Sequence, residues 1–284
     1  MTKLIHDGGE LKRELGVIRA FVPTMGALHQ GHLDLVAAAR ELVGPEGEVV
    51  LSIFVNPTQF GHSAEVLKYP KTLERDLEKC EASGVDIVFA PSVEDMYPDG
   101  IETSENTSVQ PGPLGSALEG ADRPGHFAGV LTVVAKLFHL TEPNFATFGE
   151  KDYQQLALIS QMVRQLNFPV KVNGVQIRRE SDGLAMSSRN AFLTSSQRLQ
   201  ATSISRALFA AQKVVGSVDV KLSAARVELA GEIETSYLVA MSNDLSCELE
   251  STEVEQEGRL LFAGTLGSTR LIDNMPLRMA NPHE

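Results

Sequence analysis

Residues 23–32 read PTMGALHQGH, and this stretch decides the fold. The residues before it, Val17–Thr24, form the apolar run of a strand, and those after it, His32–Leu42, have the Ala- and Leu-rich pattern of a helix. Gly26 lets the backbone of such a strand-to-helix turn approach a ligand closely. The N-terminus of the following helix offers backbone N–H groups to an anion. The stretch therefore predicts an anion site on an α/β sheet.

Short apolar runs alternate with helical patterns through the first 177 residues. The predicted strands are Val17–Thr24, Val49–Val55, Val85–Ala90, Phe145–Phe148 and Val170–Gln176; the predicted helices are His32–Leu42, Thr72–Ser83 with Thr72 as N-cap, Gly129–Leu140, and Asp152–Leu166 with Leu156, Ile159, Val163 and Leu166 on one face. Fully apolar strands are typical of a sheet buried on both faces. The alternation predicts a doubly wound, parallel, Rossmann-like α/β sheet with ligands at the carboxyl ends of its strands.

The pattern changes after about Arg178. Two longer helices are predicted, Ser195–Gly216 and Leu222–Tyr237, followed by strands in part of Leu238–Glu250 and in Arg259–Leu266. The simplest interpretation is two domains, a Rossmann-like nucleotide-binding domain over 1–177 and a smaller C-terminal α/β domain over 178–284.

Composition excludes several classes of protein. The 284 residues contain 25 basic and 37 acidic side chains, a formal net charge of −12, which argues against a nucleic-acid or anionic-membrane partner. Only Cys80 and Cys247 are present, so neither a disulfide framework nor a Cys-rich zinc site is expected. The N-terminus lacks the apolar core of a signal peptide, and no apolar run reaches about 18 residues, so we expect a cytoplasmic protein.

The turn does not match either of two common phosphate-binding loops. A Walker A loop needs Lys-Ser/Thr where this chain has His32-Leu33, and the dinucleotide fingerprint GxGxxG is missing from the turn. The remaining pattern is His-x-Gly-His, in which His29 and His32 can both donate hydrogen bonds to an anion. The same pair is also compatible with surface or helix-capping histidines, whereas zinc would need a third ligand that the neighbouring sequence does not offer.

The stretch resembles the HxGH signature of nucleotidyltransferases and class I aminoacyl-tRNA synthetases, and more narrowly the opening motif of the pantoate–β-alanine ligase family. Six further blocks are similar to that family and occur in its order: residues 54–60, 69–70, 118–127, 149–155, 182–190 and 269–274. Together they cover the chain from Val22 to Asn274, which makes the resemblance far more specific than one HxGH motif.

The resemblance implies a two-step ATP-dependent reaction. The carboxylate of pantoate attacks the α-phosphorus of ATP to give pantoyl adenylate and pyrophosphate, and the amine of β-alanine then displaces AMP to give pantothenate. A carboxylate is already ionised at pH 7, so the first step needs fixed cationic donors rather than a strong base. Magnesium is the implied metal, the C-terminal domain is implied to act as a lid, and a homodimer is the implied assembly.

The resemblance also implies the residues that contact ATP. They are Met25, Gly26, Ala27, Leu28, His29, Gln30, Gly31, His32, Gly149, Glu150, Lys151, Asp152, Arg178, Met186, Ser187, Ser188 and Arg189. His29, His32, Lys151 and Arg189 would be catalytic, with His32 as the proton donor and Arg189 bidentate on phosphate oxygens. Asp152 would accept from a ribose hydroxyl, and it is also a candidate N-cap.

Some of these residues have plain structural alternatives. Lys151 alone would be a solvated helix-start lysine, and residues 187–189 alone would be a domain linker. Relatives tend to have an apolar residue beside the adenine where this chain has Arg178, a departure that matters unless the contact is made by backbone.

The resemblance places pantoate against Gln59 and Gln155, since neutral amides can bind a hydroxy acid and leave its carboxylate nucleophilic. Met25, Asn56 and His126 would line the same pocket, and Arg123 would hold the carboxylate of β-alanine. Taken alone, the glutamines would be surface residues, Met25 would be core, and Arg123 would form a loop salt bridge.

Asp76 is the single candidate magnesium ligand, because Arg75 interrupts the acidic run that some relatives have; a solvated helix surface is the alternative for Asp76.

Two other functions compete with the ligase. One is an HxGH nucleotidyltransferase that acts on a phosphorylated substrate such as nicotinamide mononucleotide, which would favour Arg or Lys at positions 59 and 155. The other is a non-catalytic nucleotide-binding protein, which would tolerate loss of some of the residues His29, His32, Lys151 and Arg189.

Overall fold

The computed structural model describes residues 2–60, 72–101, 106–250 and 257–278. The Tyr69-Pro70 block lies outside the described residues. The chain divides into two units, the first comprising Met1–Glu150 and Gln155–Gln176, the second Lys151–Gln154 and Ile177–Glu284. Within the described part of the chain, no helix is both long and apolar enough to cross a membrane.

The first unit is built on a six-stranded parallel sheet. Its strands are β1 (Lys3–Ile5), β2 (Arg19–Thr24), β3 (Glu48–Ile53), β4 (Ile87–Phe89), β5 (Phe145–Gly149) and β6 (Lys171–Val175), in the order β1-β4-β3-β2-β5-β6. Every neighbouring pair is parallel. The chain runs outward from β2 through β3 and β4, then returns to start β5 on the other side of β2. The carboxyl ends of β2 and β5 therefore form the switch point at which such sheets bind ligands.

Helices cover both faces of this sheet. Those in the described residues are α1 (Gln30–Val43), α2 (Leu73–Ala82), α3 (Val93–Met96), α4 (Glu119–Asp122), α5 (His126–Thr141) and α6 (Tyr153–Gln165), whose first two residues are assigned to the second unit. Ala20 and Val22 pack with α1 and α2 on one face, while Phe21 packs with α5 and α6 on the other. This alternation of fully buried residues confirms the doubly wound parallel sheet.

The second unit contains a three-stranded antiparallel sheet and two helices. The helices are α7 (Ser195–Lys213) and α8 (Val218–Glu228), and the strands β7 (Glu234–Ser242), β8 (Glu257–Leu266) and β9 (Thr269–Arg278) lie in that order. Buried residues of α7, α8 and the sheet form a separate core that includes Leu208, Leu222 and Leu260.

Several local predictions were wrong. The helix predicted over Leu222–Tyr237 begins at Val218 and ends at Glu228, and Tyr237 lies in β7. Two strands were predicted here, whereas the sheet in the described residues has three; β9 is the strand that was not predicted. In α6 the buried apolar positions are Leu158, Ile159 and Met162, whereas Leu166 is 55% exposed and lies beyond the helix end.

Candidate active site

The HxGH turn leaves the end of β2 with two residues in the left-handed region. Gly26 has φ +84° and Ala27 has φ +51°. A Cβ on Gly26 would lie 3.1 Å from Ile53 Cγ2 and 3.2 Å from Asp76 Oδ2, so both the backbone angle and the close packing favour glycine. The turn is thereby pressed against the end of β3 and the start of α2.

Asp76 of α2 binds the backbone of this turn. The side chain is 1% exposed, and its oxygens accept from the N–H of Ala27 at 2.8 Å and of Leu28 at 2.9 Å. Thr72 Oγ1 donates to the same carboxylate at 2.8 Å, so Thr72 occupies the N-cap position without capping the helix by its side chain. Lys79 Nζ donates to the Leu28 carbonyl at 2.5 Å. One face of α2 thus anchors the turn at three backbone groups.

This geometry does not fit Asp76 as a magnesium ligand. Both carboxylate oxygens already accept hydrogen bonds from buried or half-buried donors, and the Asp76 side chain is buried. The described residues contain no group of three or more His, Cys, Asp or Glu side chains that could hold a metal ion. The solvated-surface alternative for Asp76 is also wrong, since the side chain is buried.

His29 and His32 lie together at the start of α1. Their rings stack with centroids 4.0 Å apart and planes at 24°. The backbone N–H of His29 donates to His32 Nδ1 at 3.2 Å. Because a ring nitrogen that accepts a hydrogen bond carries no proton, the neutral His32 ring has its proton on Nε2. His32 can therefore donate from Nε2 to an anion at the helix N-terminus.

A polar cluster adjoins the turn through Met25. Gln59 Nε2 lies 3.2 Å from Met25 Sδ, and the Gln59 carbonyl lies 2.8 Å from His126 Nδ1. His126 Nε2 is 3.2 Å from Arg123 Nη1. Since a carbonyl only accepts, Nδ1 of the neutral His126 ring carries the proton and Nε2 accepts from Arg123. Four of the predicted substrate residues thus form one chain of contacts.

Asn56 joins this cluster as the N-cap of the short 3-10 turn Pro57–Gln59. Its Nδ2 lies 3.2 Å from Gln59 Oε1, and its Oδ1 accepts from Tyr97 Oη at 2.8 Å. Gln155 lies half-buried in the first turn of α6, in the same unit. Tyr97 was missed by the sequence analysis, because it lies 41 residues from Asn56 and no local pattern marks it.

The remaining predicted ATP residues lie around the start of α6 and in the second unit. Gly149 ends β5, and Glu150, Lys151 and Asp152 form a 3-10 turn. Lys151 Nζ lies 3.8 Å from Asp152 Oδ2. Asn274 Nδ2 donates to the Lys151 carbonyl at 2.9 Å, which gives the 269–274 block a structural role that the sequence did not assign.

A charged network supports this segment within the second unit. Arg259 donates to Asn274 Oδ1 at 2.6 Å, and its guanidinium lies 3.8 Å from the Tyr153 ring centroid. Arg179 binds Asp273 through both terminal nitrogens at 2.6 and 3.0 Å. Burial raises the pKa of the Asp273 carboxyl, and the Arg179 bonds offset part of that rise.

Residues 186–189 belong to a short hairpin and a 3-10 turn rather than to a plain domain linker. Met186 N–H donates to the carbonyl of Arg178 at 2.9 Å, which pairs the two arms of a short hairpin. Ser187 caps the 3-10 turn Ser188–Phe192 by accepting from the Arg189 N–H at 3.3 Å. The Arg178 side chain is exposed, and its backbone carbonyl is the group that pairs with Met186.

One known protein family is similar to this chain over almost its whole length. The family model for pantoate-beta-alanine ligase matches residues 4–276. The chain belongs to the pantoate–β-alanine ligase family.

Relatives in this ligase family are similar to the chain over most of their length. A pantothenate synthetase of Nocardioides sp. is 51% identical over 97% of this chain and 85% of its own. The crystal structure of pantothenate synthetase from Thermus thermophilus has a TM-score of 0.88 and 45% identity, and covers 96% of this chain and 99% of its own. The pantoate-beta-alanine ligase of Francisella tularensis, solved with beta-gamma ATP and beta-alanine, has a TM-score of 0.78 and 32% identity and covers 97% of each chain.

Proposed function

We propose that this ligase-family chain condenses pantoate with β-alanine in an ATP-dependent reaction that releases AMP and pyrophosphate. The observation that carries the proposal is the contact between Gln59 Nε2 and Met25 Sδ. It places a neutral amide next to the HxGH turn, at the switch point of a parallel sheet. A carboxylic acid bound at Gln59 would lie beside a nucleotide bound at the turn, as adenylation requires.

The first step joins the pantoate carboxylate to the α-phosphorus. One carboxylate oxygen forms the new P–O bond while the bond to the β-phosphate breaks, and pyrophosphate leaves with the electron pair. The difficulty is an anion approaching a polyanion, so donors fixed around the phosphates supply the main stabilisation. We assign that role to His29, His32, Lys151 and Arg189, with Asp152 as acceptor for a ribose hydroxyl.

The second step forms the amide bond. The free amine of β-alanine attacks the acyl carbon of pantoyl adenylate, AMP leaves with the electron pair of the C–O bond, and the nitrogen loses one proton to solvent. Gln59, Gln155, Asn56 and Met25 are assigned to pantoate. Arg123, held at His126, is assigned to the carboxylate of β-alanine.

Magnesium, the homodimer and the cytoplasmic location stay predictions. Magnesium would neutralise phosphate charge when bound, but Asp76 does not fit as its ligand. The lid role of the second unit also stays a prediction.

The test is AMP release by the purified protein with ATP, pantoate and β-alanine, and with each omitted in turn. We expect AMP only when all three are present. In a second reaction with ATP and pantoate alone, hydroxylamine should trap the acyl adenylate as pantoyl hydroxamate. AMP or pyrophosphate formed equally well without pantoate, or adenylation of nicotinamide mononucleotide at the same rate, would show that the assignment is wrong.

A further inference from the structure

The amide of Asn56 has a fixed orientation. Its Nδ2 lies 3.2 Å from the Gly129 carbonyl, and a carbonyl can only accept a hydrogen bond. Its Oδ1 faces three donors: the Thr58 N–H at 3.4 Å, the Thr58 hydroxyl at 3.0 Å and the Tyr97 hydroxyl at 2.8 Å. Backbone groups of known polarity therefore determine which end of the Asn56 amide is which.

This orientation determines the amide of Gln59 in turn. Asn56 Nδ2 has two hydrogens, one directed to the Gly129 carbonyl and the other to Gln59. The Gln59 atom that receives it, 3.2 Å away, must be the acceptor Oε1. Gln59 Nε2 then faces the opposite way, toward Met25 Sδ, which is only a weak acceptor. Gln59 consequently presents N–H groups, not its carbonyl, on the side of the HxGH turn.

Tyr97 donates the shortest of the three hydrogen bonds to Asn56 Oδ1. The 3.4 Å contact from the Thr58 N–H is long for a hydrogen bond, so the two hydroxyls carry most of the interaction with Asn56 Oδ1. Tyr97 is 8% exposed, its ring centroid lies 6.4 Å from that of Phe54, and Lys136 Nζ lies 5.5 Å from the ring centroid. Burial raises the pKa of Tyr97, so the phenol keeps its proton and stays a donor across the neutral range.

We propose that Tyr97 is a positioning residue that acts through Asn56 to hold Gln59 with its N–H groups toward the substrate. The site would then select a ligand that offers an acceptor oxygen, such as the hydroxyl or carboxylate oxygen of a hydroxy acid. A ligand with an ammonium group in that position would place donor against donor and be rejected. This inference rests on the proposed function, in which Gln59 binds pantoate.

The test compares Tyr97→Phe, Gln59→Ala and the double variant in the complete reaction. Gln59→Ala should raise the pantoate KM roughly five- to fiftyfold, and Tyr97→Phe roughly three- to tenfold, since phenylalanine keeps the ring and removes one hydrogen bond. In the double variant the pantoate KM should equal that of Gln59→Ala alone. The KM for ATP and kcat should stay within about twofold in Tyr97→Phe, and Tyr237→Phe, in β7, serves as the matched control.

The outcomes distinguish failure of the site assignment from failure of the inference alone. An unchanged pantoate KM in Gln59→Ala would refute the pantoate pocket and the inference together. A raised KM in Gln59→Ala with none in Tyr97→Phe would overturn only the role of Tyr97. The role of Tyr97 would also be overturned if adding Tyr97→Phe to Gln59→Ala raised the pantoate KM by the same factor as Tyr97→Phe does alone. Tyr97 would then act on the fold and not through Gln59. If Tyr97→Phe is poorly folded, Thr58→Val removes the other hydroxyl at Asn56 and must raise the pantoate KM in the same way.

Discussion

At the scale of single residues, buried polar side chains hold in place the groups that the sequence motifs identify. Asp76 binds the turn that carries His29 and His32, and Asn56 orients Gln59. A buried carboxylate or amide of this kind is costly unless its partners are complete. Asp76 and Asn56 should therefore affect stability and substrate binding together, which distinguishes them from residues that only contact substrate.

Asp76→Ala should destabilise the protein in the absence of any metal. The change leaves the N–H groups of Ala27 and Leu28 without their acceptor, and unsatisfied buried donors cost about 1–3 kcal/mol each, so we expect a loss of about 2–4 kcal/mol. Urea unfolding in EDTA measures it, with Glu74→Ala, exposed on the same helix, as the control. A residue that served only as a metal ligand would give unchanged or increased stability under these conditions.

The two cysteines should differ sharply in reactivity. Burial, and secondly the nearby Asp76 charge, raise the pKa of Cys80 to about 12, whereas Cys247 is exposed. Because the thiolate is the nucleophile, Cys80 is inert in the folded protein at pH 8. Iodoacetamide followed by peptide mass spectrometry should label Cys247 in the native protein and Cys80 only after unfolding, and Cys247→Ser should show no native labelling. Native labelling of Cys80 at the rate of Cys247 would contradict the burial.

At the scale of elements, the sequence predicted the central strands of the sheet and the turn between β2 and α1. Those strands are fully apolar because both of their faces are buried, so composition alone marks them. β9 was missed because it contains Arg270, Asp273, Asn274 and Pro276. Two of these residues are buried and paired across long sequence separations, Asp273 with Arg179 and Asn274 with Arg259. Such pairing leaves no periodic signal along the chain.

In the candidate site, too, the sequence reveals the residues that a local motif marks and misses the contacts between distant residues. His29, His32 and Lys151 follow strands and precede helices, so a local motif is enough to propose them. The contacts among Asn56, Gln59 and Tyr97 depend on where α5 and the Tyr97 segment pack, and no spacing in the sequence encodes that. The sequence can therefore propose which groups meet the substrate, but not which groups orient them.

Gly129 sets the separation between α5 and the 3-10 turn that carries Gln59. A Cβ at Gly129 would lie 2.7 Å from the backbone C and O of Thr58 and 2.8 Å from Gln59 N. Gly129→Ala should thus destabilise by about 1–3 kcal/mol, although alanine favours a helix interior by roughly 1 kcal/mol. It should also raise the pantoate KM, because Gln59 must move. Gly231→Ala, where a Cβ meets nothing within 4 Å, is the control; a Gly129→Ala enzyme with normal stability and KM would contradict the packing.

The bond from Asn274 to the Lys151 carbonyl should matter for ATP. Lys151→Ala should lower turnover more than about a hundredfold, the typical loss on removing one preorganised donor. Asn274→Ala should lower kcat/KM for ATP by a smaller factor and leave the pantoate KM unchanged, because it releases the backbone of Lys151. In the Lys151→Ala background Asn274→Ala should add little. Lys213→Ala, on an exposed position of α7, is the control, and full additivity of the two changes would show that they act independently.

At the scale of the whole molecule, the residues proposed for function belong to two units that have different sheets and separate cores. The residues proposed for pantoate, Gln59, Gln155, Asn56 and Met25, belong to the first unit, whereas Lys151, Asp152 and Arg189 belong to the second. The chain as a whole is acidic, with a net charge of −12, so the predicted affinity for ATP depends on a few named cations and helix N–H groups. Bulk charge excludes classes of partner but does not locate the site.

Separate cores predict that damage to one unit stays local. Leu260 is fully buried in the core of the second unit, and Leu51 is fully buried against α1 and α2 in the first. Leu260→Ala should cost about 2–5 kcal/mol, and hydrogen exchange measured by mass spectrometry should speed up in peptides of β7, β8 and β9 while peptides of β2, β3 and β5 keep their protection. Leu51→Ala should give the opposite pattern. Equal loss of protection in both sets of peptides would mean that the chain opens as one cooperative unit, although the two units do not share a core.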